Sequence, residues 1–270
     1  MLYDTHCHPY LQKQKDKKQI LETFNTKYPE GFLNSIGTNL ETSVEAIEEA
    51  KKYSFIKASI GIHPCDIEKL DLETTISKLE ELYLENKDIV IAIGECGLDY
   101  YRLPPKIQSH LSIQKIKDKQ KRFFKAQIKL AQKYDLPIII HNRESRDDIF
   151  KIIKETGLKK FVFHCYSEDL EYAKKLLDLS PTAMISFSGI VTFKNAQDVQ
   201  ETAVNIPLEN ILAETDAPYL TPVPYRGKEE NEPIFTEHVV EKIAELRGED
   251  VEKVRKQIWQ NSLRTFKIKN

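Results

Sequence analysis

Short apolar runs alternate along the chain with longer segments that mix apolar and charged positions. Runs such as Ile89-Val90-Ile91-Ala92-Ile93 and Ile138-Ile139-Ile140 are almost continuously apolar, which is typical of strands that a parallel sheet buries on both faces. The pattern predicts eight strands, over residues 2–5, 31–36, 56–61, 89–94, 137–140, 161–164, 183–187 and 210–214.

The segments between these runs carry apolar residues at helical spacing. In residues 120–134, Phe124, Ile128 and Ala131 fall on one stripe in which Gln127 is the polar member. Similar patterns predict helices over residues 44–53, 72–84, 147–156, 170–179 and 236–247. Alternating strands and helices with short connections indicate a parallel α/β fold. Eight such units in 270 residues favour a closed TIM-type (β/α)8 barrel.

Composition narrows the class of protein further. No break in composition divides residues 1–270, so we expect one domain. The chain lacks both a long apolar run and a signal-like N-terminal segment, and its four cysteines do not make a disulfide framework. We therefore expect a cytoplasmic protein without a membrane span. With 40 Lys+Arg against 42 Asp+Glu, a strongly basic nucleic-acid-coating surface is excluded, but a local basic patch is not.

One segment, residues 103–119, follows no regular pattern. It contains Pro104-Pro105 and then Lys106, Lys115, Lys117 and Lys119. Because it follows a predicted strand, it would lie on the face of a barrel that carries active sites. A basic lid and a solvated surface insertion are both open at this point.

Ionisable side chains follow the apolar strands with unusual regularity. Burying one such group without a partner is costly, and several around one barrel mouth need a compensating charge such as a metal ion. The groups at or just beyond the strand ends are His6, His8, His63, Glu95, His141, His164 and Asp216.

Four of these histidines and two carboxylates are too many ligands for one tetrahedral zinc ion with an open position. They suit two divalent ions that share a carboxylate. We expect Glu95 to bridge the ions, because it comes from the middle of the set. His6, His8 and Asp216 would complete one ion, and His141 and His164 the other. The candidates are Zn²⁺, Mn²⁺ and Mg²⁺, and imidazole-rich ligation favours the transition metals over Mg²⁺.

Strand parity gives two further expectations. Glu214 lies two residues before Asp216, so it can hydrogen-bond a ligand imidazole from behind. Cys7, Cys96 and Cys165 each neighbour a candidate ligand in the sequence. By the same parity they would point away from the metals and be small buried residues.

An ordered set of motifs resembles the TatD family of metal-dependent deoxyribonucleases, within the amidohydrolase superfamily of barrels. The match runs from residue 4 to residue 233. Its principal segments are Asp4-Thr5-His6-Cys7-His8, Gly61-Ile62-His63-Pro64, Gly94-Glu95-Cys96-Gly97-Leu98-Asp99, His141-Asn142-Arg143, His164-Cys165-Tyr166 and Glu214-Thr215-Asp216-Ala217-Pro218. The resemblance implies a deformed barrel, metal ligands at His6, His8, Glu95, His141, His164 and Asp216, and hydrolysis of DNA phosphodiesters.

Given this resemblance, we expect a 3′–5′ exonuclease that acts on single-stranded DNA or chain ends through a metal-bound hydroxide. Asp216 is the expected general base as well as a ligand, or a ligand alone. His63, Arg226 and Arg143 are the expected donors to the phosphate. Tyr100, or Tyr101 beside it, is the expected stacking platform for a base, although either ring could instead be packed in the core. No obligate protein partner is evident.

Two other functions remain open, because a barrel fold does not fix an activity. A different hydrolase could use the same metal centre, either a D-aminoacyl-tRNA deacylase or an enzyme that cleaves small amides or esters. The third possibility is a non-catalytic binding protein, against which the complete ligand set argues.

Overall fold

The computed structural model describes residues 1–103 and 112–268. Each predicted apolar run overlaps a strand, with end points that shift by up to a few residues. The strands are β1 (Tyr3–Cys7), β2 (Phe32–Ile36), β3 (Ile56–Ile60), β4 (Val90–Asp99), β5 (Ile138–Arg143), β6 (Phe161–Phe163), β7 (Met184–Phe187) and β8 (Ile211–Ala213).

The strands form one sheet in sequence order, and every neighbouring pair from β1 to β8 is parallel. The sheet curls into a nearly closed barrel. At the seam, where β8 returns to β1, the strands meet through the isolated bridge between Cys7 and Ala217. The His8 amide donates to the Ala217 carbonyl (2.8 Å) and the Asp216 amide to the His6 carbonyl (2.9 Å). The TIM-type fold predicted from the sequence is confirmed.

Helices alternate with the strands and cover the outside of the barrel. They are α1 (Lys17–Lys27), α2 (Leu40–Lys52), α3 (Leu72–Glu85), α4 (Ile113–Lys133), α5 (Arg146–Thr156), α6 (Leu170–Leu179), α7 (Gln197–Asn205), α8 (Thr236–Arg247) and α9 (Val251–Phe266). Among the helices that the structure describes, none has the length and apolar character needed to cross a bilayer.

The lower half of the barrel is filled by an apolar cluster. Ile139, Val162 and Leu212, from three different strands, belong to it together with Trp259 and Phe266 of α9. Helix α9 therefore covers the amino-terminal mouth of the barrel. A larger cluster packs the outward faces of the strands against the surrounding helices. With one end closed, the carboxyl ends of the strands form the remaining mouth.

The structure corrects part of the expectation for residues 103–119. Helix α4 begins at Ile113, where the Ser112 side chain accepts from the Lys115 amide. Lys115, Lys117 and Lys119 are therefore helical, and the region is not irregular throughout. Residues 104–111, including Lys106, lie outside the described part of the chain.

Candidate metal centre

The polar side chains predicted at the strand ends lie in one layer above the apolar floor of the barrel. Because side chains two apart in a strand share a face, His141 and His164 come directly above Ile139 and Val162. Their position follows from the strand register and needs no special loop. His6, His8, His63, Glu95 and His164 are each less than 9% exposed, so the layer is largely removed from solvent.

Two glycines let β4 cross very close to β5 on either side of Glu95. A Cβ on Gly97 would lie 2.0 Å from the His141 carbonyl oxygen, and one on Gly94 would lie 2.6 Å from that of Ile139. Both glycines also have φ values, +147° and +139°, that other residues rarely adopt. The sequence Gly94-Glu95-Cys96-Gly97 thus carries the carboxylate into the middle of the histidine layer.

The two carboxylate oxygens of Glu95 face different histidines. Oε2 lies 3.5 Å from His6 Nε2 and 3.9 Å from His8 Nε2. Oε1 lies 2.6 Å from His141 Nδ1 and 3.0 Å from His164 Nε2. This division of contacts is the geometry expected of a carboxylate that bridges two ions.

Ligand atoms gather into several compact groups within this layer. His6, His8 and Asp216 form one group whose donor atoms all lie within 4.8 Å of one another. This is the set predicted for the first ion. Glu95 joins two other groups, one with His6 and His164 and one with His63 and His141. The structure therefore brings together all six predicted ligands and adds His63 beside them.

Three of the histidines are oriented by a hydrogen bond to the nitrogen that faces away from the cluster. The partners are the Ile36 carbonyl oxygen for His8 Nδ1 (3.0 Å), Glu214 for His164 Nδ1 (3.2 Å) and Asp99 for His141 Nε2 (3.3 Å). Such partners fix the ring and leave its other nitrogen free for a metal. The predicted contact of Glu214 is confirmed. The contact of Asp99 with His141 was not predicted from the sequence, although Asp99 belongs to the same motif as Glu95.

His6 provides the test of whether a metal suits the site. Its side chain is fully buried, and neither Nδ1 nor Nε2 has a hydrogen-bond partner among the residues that the structure describes. A buried polar atom without a partner is costly. A divalent ion bound by this imidazole-rich layer and its central carboxylate would give a ring nitrogen of His6 a partner. The residues present therefore fit a metal.

The charges of the layer also favour a cation. Burial alone would raise the pKa of the Glu95 carboxyl, but the charge of the neighbouring His164 and the hydrogen bonds from His141 and His164 outweigh it and hold this pKa well below its usual range. Burial also raises the pKa of Asp216, but the nearby His8, His6 and His164 together outweigh this effect and hold the pKa below its usual range. Both carboxyl groups are therefore ionised at neutral pH.

His63 differs from the other histidines of the layer. Its Nδ1 accepts a hydrogen bond from the Cys65 amide (3.1 Å), so the ring proton lies on Nε2. Burial and the adjacent His141 lower its pKa to about 3. Nε2 lies 3.7 Å from Glu95 Oε1. His63 is thus a neutral N–H donor beside the candidate ligands.

The layer lies in a cavity of about 750 Å³ at the carboxyl ends of the strands. Arg143 lines it, as predicted, and so does Arg102, which sequence reasoning missed even though it follows directly on Tyr100-Tyr101. Neither arginine pairs with a carboxylate within the described ranges. Their charges are available to an anionic substrate.

Two residues expected to contact substrate lie elsewhere. The Arg226 guanidinium rests over the Phe193 ring, 3.5 Å from its centroid, and is absent from the lining of the cavity. The Tyr100 hydroxyl donates to Asp148 (2.7 Å), which turns this ring away from the candidate ligands. The structure therefore does not bring Arg226 or Tyr100 to the metal centre.

The expectation for one cysteine is wrong. Cys7 and Cys96 are buried, as predicted, but Cys165 lines the cavity and its Sγ lies 3.3 Å from Ser188 Oγ. Strand β6 ends at Phe163, and Cys165 has a left-handed backbone conformation with φ of 45°. Strand parity therefore does not extend to this residue.

Fold and side chains together define a metal-dependent hydrolase built on a TIM-type barrel. The family model described as "TatD related DNase" matches residues 3–267. The chain belongs to this family.

Relatives and solved structures agree with this assignment. The chain is 37% identical to the metal-dependent hydrolase YabD of Bacillus subtilis, over 99% of this chain and 100% of the relative. It is 35% identical to the metal-dependent hydrolase YcfH of Escherichia coli, over 99% and 96% of the two chains. The crystal structure of YJJV, a TatD homolog from E. coli, superposes with a TM-score of 0.85 at 25% identity and covers 99% of this chain and 98% of that one.

Proposed function

We propose that the chain hydrolyses DNA phosphodiesters through two divalent ions, as a 3′–5′ exonuclease on single strands or chain ends. The observation that carries the proposal is the division of contacts at Glu95, whose two oxygens face two sets of histidines. A pair of ions held in this way suits an in-line displacement at phosphorus, because it can neutralise both the attacking and the leaving oxygen.

His6, His8 and Asp216 would hold one ion, His141 and His164 the other, and Glu95 both. When bound, the ions supply positive charge to the phosphate and lower the pKa of a water to about 7. The imidazole majority among the ligands favours Zn²⁺ or Mn²⁺ over Mg²⁺. Glu214 and Asp99 keep the rings of His164 and His141 in place from behind.

The remaining steps belong to side chains of the chain itself. Asp216 lines the cavity and its lowered pKa keeps it ionised, so its carboxylate can accept the proton of the attacking water. His63 is neutral with its proton on Nε2, which suits a donor to a non-bridging phosphate oxygen. Arg143 offers a planar guanidinium to the same phosphate or the next one.

The shape of the cavity and the family support DNA ends as the substrate. A cavity of about 750 Å³ enclosed by strand ends admits a chain end more readily than the middle of a duplex. Arg102 and Arg143 supply local positive charge in a chain whose formal net charge is −2. Binding should therefore depend on few phosphate contacts and weaken as salt rises.

The test is digestion of single-stranded DNA labelled at its 3′ or 5′ end, with Mg²⁺, Mn²⁺ or Zn²⁺. We expect stepwise shortening from the 3′ end that requires metal. Glu95→Gln should reduce the rate by at least about 100-fold, because it removes the charge shared by both ions. The matched control is Glu201→Gln, an exposed glutamate of α7, which should keep the wild-type rate.

Three outcomes would contradict the proposal in different ways. Shortening from the 5′ end would contradict the proposed 3′–5′ polarity. Wild-type activity of Glu95→Gln would contradict the proposed bridging role of Glu95. Intact DNA with every metal, together with release of D-amino acids from tRNA or cleavage of a small amide or ester, would replace the nuclease with another hydrolase on the same centre.

A further inference from the structure

A second cavity lies beside the metal cavity and shares a wall with it. It encloses about 730 Å³, and Arg143 and Ser167 line both cavities. Arg143 ends β5 two residues after His141, so the shared wall begins next to a candidate ligand. A substrate held at the metal centre can therefore extend into the second cavity without leaving the protein surface.

The second cavity contains an exposed aromatic platform. The Tyr101 side chain lines it and is 60% exposed, so its ring is accessible to a ligand in the cavity. The Arg143 guanidinium lies over this ring, 3.9 Å from its centroid. Tyr101 and Arg143 together form a stacked pair of flat groups. Surfaces of this kind bind the faces of nucleobases.

Tyr100 also lines the second cavity, but it is not available as a platform. Its hydroxyl donates to Asp148, and the Lys117 ammonium lies 4.0 Å from the centroid of its ring. The two tyrosines predicted together thus have different roles. Tyr100 forms part of the cavity wall, whereas the exposed ring of Tyr101 can contact a bound ligand.

The polar groups around the platform suit a base better than a phosphate. Glu144 and Asp147 line the cavity and have no ion-pair partner in the described part of the chain. Glu168 accepts hydrogen bonds from the Asn142 side-chain amide (2.8 Å) and from Arg146 (3.3 Å), which also lines the cavity. Arg146 also donates to Asp169 (2.7 Å), so its charge is already paired. Carboxylates repel a phosphate and only accept hydrogen bonds. They match the amino groups on the edges of adenine, cytosine and guanine.

We propose that this second cavity binds the nucleobase next to the scissile phosphate, stacked on the Tyr101–Arg143 pair, with preference for bases that carry an amino group. The inference rests on the proposed function, since it names the part of the DNA that occupies a neighbouring site. The Arg143 guanidinium would then make two contacts: its edge would donate hydrogen bonds to the phosphate, and its flat face would stack on the base.

The test compares an ordinary oligonucleotide with one that carries an abasic tetrahydrofuran at the nucleotide next to the cleaved bond. With the metal-loaded whole chain, Tyr101→Leu should raise KM for the ordinary substrate by about 5- to 150-fold, the range for loss of one stacked base. Tyr101→Phe keeps the ring and should stay within about 2-fold of wild type. On the abasic substrate Tyr101→Leu should have no further effect, because ring and base act as a pair.

A binding experiment separates failure of this inference from failure of the proposed function. Deoxycytidine 5′-monophosphate, thymidine 5′-monophosphate and 2-deoxyribose 5-phosphate are titrated calorimetrically into wild type and Tyr101→Leu. The expected order of affinity is deoxycytidine monophosphate, thymidine monophosphate and then the sugar phosphate, and Tyr101→Leu should bring both nucleotides close to the sugar phosphate by removing the stacked ring. Base-dependent binding without DNA cleavage would support the cavity and overturn the nuclease. Cleavage that Tyr101→Leu weakens equally with and without a base would overturn the cavity and leave the nuclease intact.

Discussion

At the scale of single residues, His63 has a chemistry distinct from that of its neighbours. The Cys65 amide occupies Nδ1, so only Nε2 can donate a hydrogen bond. A neutral imidazole with a pKa of about 3 cannot deliver a proton as an acid near neutral pH, but it can stabilise developing negative charge. Its place beside Glu95 and His141 also makes it a possible extra ligand. The two roles predict different results.

We expect His63→Ala to lower kcat by about 100- to 1000-fold, the loss typical of one donor to developing charge. His63→Gln should recover part of this loss, because its amide also donates. Metal affinity, measured by titration against a coloured chelator, should stay within about 3-fold of wild type. A drop of 10-fold or more in metal affinity would instead make His63 a ligand.

The sequence was most informative where a polar residue ends an apolar strand. His141 and His164 follow this rule, because parity places them above the barrel floor. Asp99 and Arg102 were missed, since they act through a hydrogen bond and a cavity wall that only the extended end of β4 creates. Arg226 was predicted to contact the phosphate, but its guanidinium packs on Phe193, a contact that the sequence does not reveal.

At the scale of elements, the strands were more predictable than the helices. Strands β4 and β5 run several residues beyond their apolar cores, because polar residues of the site are themselves paired in the sheet. Helices α1, α7 and α9 were not predicted. In α1 only Ile20, Leu21 and Phe24 are buried, which gives a weak stripe. Tertiary packing stabilises such helices more than their own pattern does.

Helix α4 carries two buried glutamines whose side chains hydrogen-bond backbone groups at strand ends, as a neighbouring strand would. Gln127 accepts from the Ile62 amide (2.8 Å) and donates to the Ile62 carbonyl (3.0 Å), directly before His63. Gln120 makes the same pair of bonds with the backbone of Asp99. The polar interruption in the stripe of α4 thus positions the ends of β3 and β4.

Gln127→Leu should lower the free energy of unfolding by about 2–4 kcal/mol, because it leaves a buried N–H and a buried C=O of Ile62 without partners. The measurement is the midpoint and slope of urea unfolding. Gln114→Leu, on the exposed side of the same helix, is the control and should change stability by less than about 0.5 kcal/mol. Equal shifts for both variants would show that the bonds to Ile62 contribute nothing.

At the scale of the whole molecule, the seam between β8 and β1 differs from the rest of the barrel, because an isolated bridge replaces the ladder that joins every other neighbouring pair. Asp4 spans it, accepting from the amide (2.9 Å) and the hydroxyl (2.5 Å) of Thr215. The candidate ligands lie on both sides of the seam, with His6 in β1, His8 just after β1 and Asp216 after β8. A metal held by all three would tie the two edges of the sheet together.

Removal of metal should therefore loosen the seam as well as abolish activity. Binding at 100 times the dissociation constant adds about 2.7 kcal/mol to the free energy of unfolding. We expect chelation to lower the melting temperature and metal to restore it. Amide hydrogen exchange at His8 and Asp216 should slow with metal, while exchange at Leu33 in the β2–β3 ladder changes little. Bound metal without any change at the seam would contradict this link.

The seam also determines when the metal centre can first exist. Asp4 and Thr215, which flank the ligands on the two edges, are 211 positions apart. At about 5–20 residues per second, a ribosome needs roughly 10 to 40 s to travel between them. Throughout that time His6 and His8 have been made but Asp216 has not. A chain still being translated cannot assemble the full ligand set, so the hydrolase remains inactive until nearly all of its barrel has been synthesised.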